Sequence, residues 1–115
     1  MEIQEQQVGR VTLVSVNGRL TGADPIGMLH DKVNSLVFQG KRDIVLDLAK
    51  LGYVDSAGLG ELVSCLSFAT RQGGHLALSG VTSTTRDLLV LTKLLTVFDC
   101  YDSKREAVAS LERFH

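Results

Sequence analysis

Residues 43 to 60 read Asp43-Ile44-Val45-Leu46-Asp47-Leu48-Ala49-Lys50-Leu51-Gly52-Tyr53-Val54-Asp55-Ser56-Ala57-Gly58-Leu59-Gly60, and the architecture follows from how they divide. Asp43 to Leu48 is short and nearly continuously apolar, as expected of a central strand covered by helices on both faces of a sheet. Lys50 to Tyr53 reads as a turn. Beyond it Leu59, Leu62, Val63 and Leu66 recur at helical spacing, which places Ser56 at a helix N-terminus. One strand, one turn and one helix therefore set the period of the chain.

The same alternation extends in both directions. Towards the N-terminus, runs around Ile3 and over Val11 to Val16 predict two strands joined near Gly9-Arg10 as a hairpin, with Gly18 and Gly22 breaking the pattern. Asp24-Pro25 reads as a helix start, Asp as N-cap and Pro in the first turn. Ile26, Leu29, Val33, Leu36 and Val37 form the apolar face of that helix, and Gly40-Lys41-Arg42 closes it. Towards the C-terminus, the second helix ends at Gly73-Gly74, and His75 to Gly80 is the next strand. Thr82-Ser83-Thr84 lead into a third helix with Leu88, Leu89, Leu91, Leu94 and Leu95 on one face, and Val97-Phe98 reads as a brief edge strand. Ser103 and Glu106 form a capping box ahead of Ala107, Val108 and Leu111. The expected class is α/β: a mostly parallel mixed sheet of four or five strands with about four packed helices, opened by an antiparallel pair. Residues 1–115 are expected to form one domain, since no repeat, linker or low-complexity segment interrupts them.

Composition narrows the function classes. Twelve Lys plus Arg face thirteen Asp plus Glu, for a formal charge of −1, so no field exists to attract a polyanion and nucleic acid is not an expected partner. The two cysteines, Cys65 and Cys100, have apolar neighbours and no CxxC spacing, which argues against a zinc site or a disulfide scaffold and for a reducing compartment. The acidic, polar start Met1 to Gln7 lacks the pattern of an export signal, and no apolar run is long enough to span a bilayer. A cytoplasmic protein without metal or cofactor is expected. A phosphate loop of either common type is missing, and His30, His75 and His115 come without the elbow that exposes a hydrolase serine, so catalysis is not expected.

The chemistry concentrates at Ser56. A helix start offers unpaired N–H groups and a positive dipole end, which favour a phosphoryl group there. Serine is also a favoured N-cap, and on the residues alone that reading comes first. Asp55 either caps and bonds the turn or positions the serine; Gly58 and Gly60 serve close approach by a partner or tight packing of the helix on the sheet.

Asp55-Ser56-Ala57-Gly58-Leu59-Gly60 resembles the D-S-x-G-L-G signature of the STAS domain family, which includes sulfate-transporter C-terminal domains and anti-sigma-factor antagonists. The likeness extends to Val16-Asn17-Gly18-Arg19-Leu20, to Asp43–Leu48 and to Leu88–Phe98, nearly the whole chain. The resemblance implies an anti-sigma factor antagonist. Its unphosphorylated form would bind an anti-sigma factor that is also a serine kinase, thereby releasing a sigma factor. Phosphorylation of Ser56 would switch binding off, and a metal-dependent serine phosphatase would restore it. Asp55, Ser56, Ala57, Gly58, Thr21 and Asp24 are the implied partner-binding residues. Many antagonists carry an acidic residue directly after the G-x-L of strand two; here Thr21 stands in that place, with Asp24 three positions on. The same fold also serves as a non-phosphorylated subunit bracing a lipid-transport ABC ATPase or as a scaffold in stress-signalling complexes. The intact serine favours the switch over these alternatives.

Overall fold

The computed structural model describes residues 1–22 and 27–113. Strand β1 (Glu2–Val8) and strand β2 (Val11–Leu20) form the expected hairpin, with Val8 opposite Val11. Gly9 holds a φ of 61°, and Arg10 does not share that left-handed conformation. Such two-residue loops match strand twist when glycine takes the first position.

Helix α1 (Met28–Phe38) leads to β3 (Asp43–Asp47), and β4 (Leu51–Val54) leads directly to α2 (Ser56–Arg71). Then β5 (His75–Ser79), α3 (Ser83–Leu91), β6 (Asp99–Tyr101) and α4 (Lys104–Glu112) complete the chain. The strands lie in the order β1-β2-β3-β5-β6, all parallel to β2 except β1. The free edge of β2 is shared. Val11 to Ser15 pair with β3, and after an irregularity at Gly18 and Arg19 the end of β2 pairs with β4, Leu20 opposite Val54.

Alternate side chains enter two cores, as a strand period of two requires. Val14, Val16, Ile44, Leu46, Leu76 and Leu78 meet α1, α2 and α3 on one face. Val11, Leu13, Val45 and Ala77 meet Ala107, Val108 and Leu111 of α4 on the other. Every residue of β3 is buried, the double coverage read from its continuous apolar run.

Several boundaries differ from expectation. The stretch read as a turn at Lys50 to Tyr53 belongs largely to β4, a strand beyond the four or five expected, whose apolar ends Leu51 and Val54 are buried while Gly52 and Tyr53 face solvent. Four residues with that burial pattern give no period-two signal; β4 exists because β2 continues past Gly18 and offers an edge. The edge strand is Asp99–Tyr101, not Val97-Phe98. Phe98 is drawn into the core and Val97 stays half exposed, so the chain reaches the β5 edge two residues later. Leu91 is exposed rather than on the buried face of α3. The helix ends there, and Lys93 at φ 62° turns the chain before Leu94 and Leu95 rejoin the core. Helix α1 begins at Met28 with Gly27 as N-cap; the expected start at Asp24-Pro25 and the helical position Ile26 lie outside the described residues. Ser103 caps α4, its Oγ accepting from Glu106 N at 3.2 Å. The Glu106 carboxylate meets the Ser103 hydroxyl at 3.4 Å, so the capping box is realised on the serine side.

Candidate functional site

The site lies at the C-terminal ends of β2 and β4. Val54 is anchored in the core, and the next residue, Asp55, leaves the strand in extended conformation with φ −100°. Its carboxylate bridges two segments. Oδ1 accepts from the Gly58 N–H at 2.8 Å, capping α2, and Oδ2 accepts from the Gly22 N–H at 2.9 Å, tying down the chain that follows β2. The Asp55 backbone adds a bond from its own N–H to the Leu20 carbonyl at 3.3 Å. The amides of Gly22 and Gly58 stabilise the charged form, and the Asp55 pKa is lowered from the ordinary aspartate value.

Asp55, not Ser56, is therefore the N-cap, and the capping role that the sequence offered to serine is already filled. Ser56 is the first residue of α2 and is exposed, and its hydroxyl has no hydrogen-bond partner among the described residues. Among the described residues no imidazole is hydrogen-bonded to it. Ala57 is exposed beside it.

The two glycines of the motif differ. A Cβ on Gly58 would lie 2.0 Å from the Leu20 carbonyl oxygen, so only glycine lets α2 start this close to β2. A Cβ on Gly60 would meet nothing within 4 Å. Leu59 and Leu62 are buried in the core beneath the site. Thr21 is buried at the end of β2 and lies on the same face as Ala57, where both line one cavity. The fold thus brings Thr21, Asp55, Ser56 and Ala57 together above a buried Gly58. Asp24 lies outside the described residues.

Two contacts of this region gave no sequence signal. Glu61, one turn and a half into α2, accepts from the Leu29 N–H at 2.8 Å and the His30 N–H at 3.1 Å through Oε1. It caps α1, whose own N-cap, Gly27, has no side chain to do so. Gly22 receives the Asp55 carboxylate. Helix α2 therefore holds the connection between β2 and α1 at both ends, a contact over about thirty residues of sequence that no local motif encodes.

The other polar groups are structural. His75 Nδ1 lies 3.1 Å from Asp43 at the opposite ends of the strands, and the His30 ring packs edge-on against Phe68 at 5.8 Å. His115 lies outside the described residues. Both cysteines are free thiols; burial pushes Cys65 up to about 12 and raises Cys100, so neither is a reactive thiolate at neutral pH. Among the described residues no cluster of ligating side chains could hold a metal, and no helix is long and apolar enough to cross a membrane.

Comparison with known proteins places this geometry. The family model described as the STAS domain matches residues 2–107. An anti-sigma F factor antagonist of Paenibacillus polymyxa is 26% identical over 114 residues, covering 97% of this chain and 96% of that one. Among solved structures, an anti-sigma factor antagonist from Mycobacterium paratuberculosis superposes with a TM-score of 0.81 at 20% identity, covering 96% and 93% of the two chains. The phosphorylated form of the Bacillus cell fate determinant SpoIIAA superposes with a TM-score of 0.72 at 20% identity, covering 99% of this chain and all of that one, 100%.

Proposed function

Because the chain belongs to the STAS domain family, we propose that it is an anti-sigma factor antagonist, a single-domain cytoplasmic switch protein without catalytic activity of its own. The unphosphorylated protein binds an anti-sigma factor that is also a serine kinase, through Thr21, Asp24, Asp55, Ser56 and Ala57, with Gly58 setting the height of the helix beneath them. One observation carries this reading. Ser56 sits exposed at the start of α2 with a hydroxyl that bonds no other side chain or backbone group among the described residues, because Asp55 makes the cap. A serine placed this way can be modified without unfolding the helix.

The switch follows from charge. The Ser56 oxygen attacks the γ-phosphorus of ATP on the kinase, ADP leaves, and the hydroxyl proton passes to the kinase. The product carries a further charge of about −1.5 to −2 on the contact surface. It stands next to the Asp55 carboxylate, which is held ionised by the Gly22 and Gly58 amides. Docking then has to desolvate two adjacent negative groups, and the complex dissociates. Hydrolysis of the phosphoserine by a metal-dependent phosphatase restores binding.

Affinity measurements with the anti-sigma factor test the proposal. Ser56→Asp is expected to weaken binding about tenfold or more, in line with the loss from placing an unpaired charge in an interface, and Ser56→Ala to bind as the parent does but resist the kinase. Equal affinity of the Ser56→Asp and parent proteins would refute the switch.

A further inference from the structure

The surface beside Ser56 is indented. Thr21, Gly22, Gly27, His30, Ala57, Glu61 and Ser64 surround a cavity of about 260 Å³. Sites that enclose a whole small molecule run from about 300 to 1,000 Å³, so this one is small for such a ligand and has room for a side chain. Its walls at Gly22, Gly27 and Ala57 reach no further than a methyl group, and they leave room for a long aliphatic stem.

The chemistry of the cavity comes from Glu61. One oxygen, Oε1, holds the Leu29 and His30 amides, while the second has neither a hydrogen bond nor an ion pair among the described residues. Among the described residues that line the cavity there is no lysine or arginine. The carboxylate is half buried and already fixed in orientation by two backbone donors. It is thus a preorganised acceptor without a cation, and Ser64 adds a hydroxyl on the same wall. A planar fork of N–H donors on a flexible stem matches two acceptors of this kind better than a compact ammonium group. Arginine is also among the residues that most often anchor protein interfaces in pockets.

We propose that this cavity receives one arginine side chain from the partner protein, its guanidinium on the free oxygen of Glu61 and its stem along Ala57, Gly22 and Gly27. The proposal deepens the docking role assigned to the Ser56 face and rests on that reading for the identity of the partner, but the cavity can be tested without it. Glu61 then has two roles. It fixes the start of α1, and it supplies the charge that recognises the incoming cation.

The test is an NMR titration of the ¹⁵N-labelled, unphosphorylated protein with N-acetyl-L-arginine methylamide, and in parallel with N-acetyl-L-leucine methylamide. Saturable shifts at the amides of Leu29, His30 and Ser64 are expected with the arginine compound only, weakening as sodium chloride is raised. Glu61→Gln keeps a carbonyl oxygen for the two α1 amides and removes the charge, so it should retain the fold and bind the arginine compound about tenfold more weakly or worse. No saturable shift in the parent protein, equal response to leucine, salt-independent binding, or full affinity in Glu61→Gln would each overturn the proposal. Neither kinase nor anti-sigma factor is present, so the outcome is independent of whether Ser56 is phosphorylated.

Discussion

The division of labour between Asp55 and Ser56 decides what each can do. Both residue types cap helices, and sequence alone could not assign the cap because either is preferred at that position. The structure gives it to Asp55, with a second bond to Gly22 that joins elements 33 residues apart. Replacement by Asn keeps one carbonyl acceptor and puts a donor where the other oxygen was. Asp55→Asn should therefore lower the melting temperature by a few degrees at neutral pH, where one degree of shift reflects a small fraction of total stability. The pKa of Asp55 is lower in the folded protein than in the unfolded chain, so its contribution is fully present above the unfolded value, about 3.9, and is lost as pH falls through the folded one. Thermal melts of the two proteins should accordingly differ at pH 7 and converge only as pH falls below the ordinary aspartate value and through the lower pKa of the folded protein. A difference that persists unchanged in acid would show that the carboxylate charge is not what holds Gly22 and Gly58.

At the scale of elements, the contact between α2 and β2 explains why the motif has the glycines it has. Gly58 meets the Leu20 carbonyl, a backbone atom that cannot swing aside, whereas Gly60 faces open space. Gly58→Ala is expected to destabilise by about 1–3 kcal/mol, the usual cost of overpacking. Gly60→Ala should be neutral or stabilise by up to about 1 kcal/mol, the difference in helix propensity. Urea denaturation reads both, and equal effects at the two positions would contradict the packing described. The elements that were legible in advance had strong local signals: the double-faced β3, the hairpin at Gly9, the Ser103 cap of α4. Those that were not owe their existence to partners. Strand β4 forms only because β2 runs on past Gly18, β6 is placed by the register of Ala77 against Asp99, and the cap of α1 comes from Glu61 on another helix.

At the scale of the molecule, a formal charge of −1 means that no long-range field assists association. In the switch proposed above, control rests on the local charge at the start of α2, where the Asp55 bridge and the Glu61 cap hold the surroundings of Ser56 in a fixed frame. The position of Ser56 at a helix start was legible from the sequence because the apolar spacing of Leu59 and Leu62 fixes the helix phase. The cavity beside it was not, since its walls come from the residues that follow β2, from the start of α1 and from α2 together. The switch depends on Ser56 being the phosphorylated residue. Peptide mass spectrometry of the protein isolated from its native cells, in growth and under stress, tests it most directly. A phosphoryl group on Ser56 whose occupancy changes with condition is expected; an unmodified Ser56 in every condition, with the protein bound to a transporter ATPase, would contradict the switch.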